Sequence, residues 1–110
     1  MMELTTREVD QVLVVEIAGR LDTNTTAAAQ EQVEALLDGG HTRVLMNFTN
    51  LEFISSAGLR MLLALAKRLR AADGELKVCA LNESVQEVFD ISGFSELLNV
   101  FGTEGEALSD

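Results

Sequence analysis

Two adjacent serines have the setting in this chain best suited to chemistry. Ser55 and Ser56 stand within Leu51–Arg70, LEFISSAGLRMLLALAKRLR, where an apolar strand edge gives way to a helix and Gly58 follows just inside the turn. A hydroxyl at such a junction can accept a hydrogen bond from an unpaired N–H of the first helical turn. The same N–H groups, at the positive end of the helix dipole, also favour a phosphate. The serine turn therefore reads either as a helix cap or as a site of phosphorylation.

Other chemistries find less support. A serine hydrolase would have to use Ser55 or Ser56 with His41, the one histidine, and ISSAG lacks the glycine two positions before the serine that a nucleophile elbow requires. His41 follows Gly39-Gly40 and reads as a solvated turn residue. One His and one Cys, with no carboxylate cluster around either, argue against a metal site. Neither a Walker-type phosphate loop nor a dinucleotide fingerprint is present. The expectation is a protein that is not an enzyme and carries no cofactor.

The elements that position the serines follow from periodicity. Glu3–Val9 and Val12–Ala18 read as strands joined by a tight turn at Asp10-Gln11. In the second strand Leu13, Val15 and Ile17 share one face, and Val12 and Val14 share the other with Glu16. Gly19-Arg20-Leu21-Asp22 leaves it, and the polar cluster Asp22–Thr26 offers N-caps to a helix ending near Asp38, with Ala29, Val33, Leu36 and Leu37 inward. Gly39-Gly40 stops that helix.

Arg43–Phe48 is the third strand, with Val44, Met46 and Phe48 on one face and Leu45 and Asn47 on the other. The serine turn opens a helix whose stripe is Leu59, Leu62, Leu63, Ala66 and Leu69, stopped by Asp73-Gly74. Met61 and Leu65 lie off this stripe, facing either a neighbouring helix or a partner. Leu76–Leu81 is a fourth strand, and Ser84-Val85-Gln86-Glu87 matches a capping box opening a helix with Val85, Val88 and Phe89 inward. Ser92-Gly93 ends it, Leu97–Phe101 is a last short strand, and Thr103–Glu106 can start one more helical turn. Strand–helix alternation after an opening hairpin predicts an α/β fold. Its mixed, mostly parallel sheet has four to five strands packed with three to four helices.

At 110 residues the chain reads as one domain, residues 1–110, and its 47% apolar content is enough for a single core. The net charge of −10, from 18 acidic and 8 basic residues, argues against nucleic acid and anionic membranes as partners. Half of the basic residues, Arg60, Lys67, Arg68 and Arg70, fall on the helix after the serines. Cys79 in KVCAL reads as a buried strand thiol, which suits a reducing compartment. Met1-Met2-Glu3 lacks the features of a signal peptide, and Met61–Ala66 is too short to span a bilayer, so the expected location is cytoplasmic.

Phe53-Ile54-Ser55-Ser56-Ala57-Gly58-Leu59, followed by Leu62-Leu63, resembles the serine motif of STAS domains, the anti-sigma factor antagonist family. Gly19-Arg20-Leu21-Asp22 is similar to that family's turn after its second strand, Val44–Thr49 to its third strand, and Val85–Phe94 to a later helix. Position by position, Ser55 takes the place of the family's Asp, and Ser56 that of its phosphorylated serine. Ala57 replaces a second serine, and Asn47 stands where an Asp is frequent.

The resemblance implies an antagonist that binds, unphosphorylated, an anti-sigma factor with serine kinase activity and so frees a sigma factor. Phosphorylation of Ser56, with Ser55 as second choice, would switch this binding off, and a PP2C-like phosphatase would restore it. The partner contacts it implies are Asp22, Thr23, Ser55, Ser56, Ala57, Gly58, Arg60 and Met61. A monomer is the expected state, and Arg60, one helical turn beyond Ser56, is a candidate to pair with the phosphate. The alternatives with the same fold are a scaffold subunit of a stress-sensing assembly, a STAS accessory subunit of a transporter, and a small-molecule or nucleotide-binding module.

Overall fold

A computed structural model describes residues 2–110, in which six strands and five helices follow one another. The hairpin comes first, β1 (Met2–Val9) and β2 (Val12–Leu21), turning through Asp10 and Gln11, both at positive φ. Then come α1 (Thr23–Asp38), β3 (Arg43–Asn47), β4 (Leu51–Ile54) and α2 (Ser56–Ala71). The chain finishes with β5 (Glu75–Cys79), α3 (Glu83–Ser92), α4 (Phe94–Leu97), β6 (Asn99–Phe101) and α5 (Glu104–Ser109).

The sheet runs β1-β2-β3-β5-β6, antiparallel between β1 and β2 and parallel elsewhere. β4 continues the line of β3 beside the end of β2, an addition to the strands expected from sequence. The β2–β4 register shifts between Gly19 and Arg20, which pair with Leu51 and Phe53 and leave Glu52 as an extra residue on β4. Gly19 has φ +95° there, a conformation open to glycine and strained for other residues.

Alternation along the strands sorts the core as expected. Leu13, Val15, Ile17, Val44, Met46 and Phe48 face the layer of α1, α2 and α3, while Val12, Val14, Leu45 and Cys79 face Ala107 of α5. On α2 the buried side is Leu59, Met61, Leu62, Leu65, Ala66 and Leu69, with Leu63 only half-buried. Met61 and Leu65 therefore belong to the core, because α2 packs against both the sheet and α1 and needs a stripe wider than one contact line.

Two local expectations are corrected. The cap of α3 is Asn82, whose side chain accepts from the Val85 N–H at 2.8 Å, so Ser84 lies inside the helix rather than capping it. Asn82 also donates to the Leu51 carbonyl at 3.0 Å, which fixes the start of α3 against β4. The last strand is shorter than Leu97–Phe101, because Phe94–Leu97 forms a helical turn that leaves Leu97 exposed.

A short helix covers the second face. Lys77, nearly buried, donates to the Ala107 carbonyl at 2.9 Å and lies 3.6 Å from the Asp110 carboxylate, holding the end of α5. At the start of α5, Glu104 accepts from Arg7 and, at 3.0 Å, from the Asn47 side-chain amide.

Candidate functional site

β2 and β4 run parallel with Leu21 opposite Ile54, so the helices that follow them, α1 and α2, begin at the same rim of the sheet. The Ser55 N–H donates to the Leu21 carbonyl at 2.8 Å and ties the two turns together. Thr23 and Ser56 are the first residues of α1 and α2, and both are exposed. The rim thus collects Asp22, Thr23, Ser55, Ser56 and Ala57 from sites more than thirty residues apart.

The two serines differ in what holds them. Ser55 is the N-cap of α2, with extended backbone and its hydroxyl accepting from the Gly58 N–H at 3.3 Å. Ser56, the next residue, is exposed, and its hydroxyl has no hydrogen-bond partner among the described residues. A plain capping role for Ser56 is excluded, because the cap position is already occupied by its neighbour.

Asp22 belongs to the frame of the rim. Its carboxylate accepts from the Asn24 and Thr25 N–H groups at 2.9 and 3.0 Å, and the Asp22 N–H donates back to the Thr25 hydroxyl at 3.0 Å. The backbone bond from Thr25 is the main cause that lowers the Asp22 carboxyl below its ordinary range. Thr26, buried, adds a bond from its hydroxyl to the Asp22 carbonyl at 2.6 Å.

Gly58 and Met61 lie beneath the rim and do not reach its surface. A Cβ on Gly58 would stand 2.6 Å from Cγ1 of Ile54 and 3.3 Å from Cβ of Leu21, so this glycine lets α2 close onto the ends of β2 and β4. Both are expected from the sequence as partner contacts, and both are buried in this structure.

Arg60 is exposed on α2 and makes no ion pair with a described residue. Ser56, Arg60, Leu63, Lys67 and Arg70 recur at alternating steps of four and three, which places them along one side of the helix. Arg68 leaves this group to meet Asp38 of α1 at 2.5 Å.

Arg20 and Phe53 are the rim residues that sequence reading passed over. The Arg20 guanidinium lies 4.3 Å from the centre of the Phe53 ring, and both side chains face solvent. Simple alternation would have put Phe53 with buried Leu51, and only the opposition of Arg20 and Phe53 in the parallel ladder reveals the stack.

Among the described residues no three His, Cys, Asp or Glu side chains come together as metal ligands. No helix of the described residues is long and apolar enough to cross a membrane.

Comparison with known proteins gives one family and several relatives. The STAS domain family matches residues 3–107. BtrV of Bordetella bronchiseptica is 38% identical over 90% of this chain and 85% of its own length. An anti-sigma F factor antagonist of Paenibacillus polymyxa is 30% identical over 90% of this chain and 86% of its own. The solved structure of the anti-sigma factor antagonist SpoIIAA in its unphosphorylated form superposes with a TM-score of 0.82 at 24% identity, covering 96% of this chain and 93% of that one. The phosphorylated form, from Bacillus, gives 0.74 at 24% identity over 97% of both chains.

Proposed function

This chain belongs to the STAS domain family, and from that membership we propose that it is an anti-sigma factor antagonist switched by phosphorylation of Ser56. In this reading the unphosphorylated chain binds an anti-sigma factor that is also a serine kinase and so frees a sigma factor. The kinase transfers a phosphoryl group from ATP to Ser56, which ends the binding. A PP2C-like phosphatase hydrolyses the ester. The chain acts in the cytoplasm as a substrate and binding partner, and catalyses neither step.

The observation that carries this reading is the difference between the two serines. Ser55 is held in the cap, while Ser56 offers an exposed and unbonded hydroxyl one residue on. A kinase can take Ser56 without opening the helix, whereas Ser55 would first have to release Gly58.

Phosphate at Ser56 adds about −1.5 to −2 of charge at the start of α2. Within the free chain this is tolerated, because the first-turn N–H groups and Arg60 four residues along both favour an anion. In a complex the same phosphate has to leave water against the partner, a heavy cost without a basic pocket to receive it. Arg60, Lys67 and Arg70, an exposed basic stripe on a chain of net charge −10, fit an acidic surface on the partner, and the phosphate changes the sign at its end.

Phosphopeptide mapping of the chain purified from its host tests the site. Phosphate is expected on Ser56 and absent from Ser56→Ala. Phosphate on Ser55 alone, or none under any growth condition, contradicts the proposal.

A further inference from the structure

The outer edge of β1 carries a pattern that the switch does not use. β1 ends the sheet and pairs with β2 alone. The hairpin closes from Val9 to Val12 through a two-residue turn, and a loop of that length is flanked by a pair that exchanges both backbone hydrogen bonds. Counting back from Val9, Arg7, Thr5 and Glu3 bond to β2. Glu8, Thr6, Leu4 and Met2 turn their N–H and C=O groups outward, where no described residue meets them. Such an edge is a template for another strand.

We propose that this edge pairs with the same edge of a second copy, antiparallel about a two-fold axis at Thr5. Leu4 then faces Thr6, and Met2 faces Glu8, as the bonded pairs. Glu3 faces Arg7 on both sides of the axis, at the closer non-bonded positions where opposite charges attract best. Slipping either way by two residues moves the axis to Leu4 or Thr6 and sets Glu3 or Arg7 against Thr5, so charge complementarity selects one register.

The arginine is available for this. Arg7 reaches Glu16 and Glu104 through Nη2, which leaves Nη1 and Nε for Glu3 of the other copy. The axis stands perpendicular to the sheet, so α5 of both copies lies on one face of the joined sheet and α1 to α3 on the other. The interface is small, and each copy carries a net charge of −10, which together make a weak dimer with a micromolar to millimolar Kd. This departs from the monomer expected from sequence, and it stands or falls independently of the serine switch.

Sedimentation velocity of the full chain up to about 1 mM tests it, a range chosen to reach the weakest expected dimer. A concentration-dependent dimer is expected. Glu3→Lys is expected to weaken it at least about tenfold, since it replaces both attractive pairs by repulsive ones. Thr6→Pro is expected to abolish it while keeping the fold, because the lost N–H points outward and edge strands admit proline. A monomer at every concentration, or a dimer that Glu3→Lys leaves unchanged, overturns the proposal, and Glu3→Lys decides alone if Thr6→Pro does not fold.

Discussion

Ser55 and Ser56 are covalent neighbours with opposite dependence on the fold. Ser55→Ala removes the cap of α2 and is expected to lower stability by about 0.5–1 kcal/mol, the lower part of the range for caps because its 3.3 Å bond is long. Ser56→Ala removes an exposed hydroxyl with no partner and is expected to change stability by less than about 0.5 kcal/mol. Urea unfolding of the two variants checks both, and equal losses would contradict the assignment of roles. The doublet and its place before a helix were legible in the sequence. Which serine caps was not, because that depends on whether the backbone enters helical conformation at residue 56 or one residue earlier.

Cys79 gives a second check at this scale. Burial in the layer beneath α5, with the carboxylates of Glu104 and Glu16 nearby, raises its thiol pKa from 9.0 to about 11. The raised value contributes stability below the ordinary thiol range that is lost as pH rises toward 11. A thiol reagent at neutral pH is expected to react with the folded chain only through opening, and rapidly in denaturant. Fast reaction of the native chain would show that α5 does not cover this face.

α2 and α5 show how much of an element its own residues specify. The helical period of α2 is legible in the sequence, but its buried side is wider than that period marks, because Met61 and Leu65 are buried by α1 and the sheet together. Gly58 makes that docking possible. Gly58→Ala recovers about 1 kcal/mol of helix propensity but forces a Cβ to 2.6 Å from Ile54, with overpacking costs of about 1–3 kcal/mol, so a net loss is expected in a thermal melt. An unchanged or raised Tm would contradict the close approach.

The cap of α5 at Thr103 was also legible, but what fastens the helix was not, since Arg7 and Glu104 meet from opposite ends of the sequence. The hydrogen bond from Arg7 is the main cause that holds the Glu104 carboxyl below its ordinary range. A lowered carboxylate pKa stabilises the fold above the unfolded value, and that part is lost as pH falls through the folded value. The protection of α5 amides, taken relative to their intrinsic exchange rate at each pH, is therefore expected to fall below the ordinary carboxylate range. Glu104→Gln is expected to lower that protection already at neutral pH and to flatten its pH dependence. An exchange profile in α5 that Glu104→Gln leaves unaltered would place the fastening elsewhere.

For the molecule as a whole, the faces of β2 and β3 and the mixed α/β order could be read from alternation, because each strand has one apolar side per layer. β4 escaped, since four residues are too few to show a period and its pairing with β2 exists only in three dimensions. That pairing positions the candidate site, as it brings the starts of α1 and α2 to one rim. On the proposed reading the phosphate acts at this surface and leaves the fold unchanged. Phosphorylation is expected to shift amide resonances around Asp22–Thr25 and Ser55–Arg60 only. Shifts spreading through β3 and β5 would contradict a surface switch.

The most direct measurement is a paired capture from host lysate with Ser56→Ala and Ser56→Asp chains as baits, identifying bound proteins by mass spectrometry. The account predicts that Ser56→Ala retains a small ATP-binding serine kinase and Ser56→Asp loses it. The same partners on both baits would contradict a release switch at Ser56 and leave the domain a scaffold.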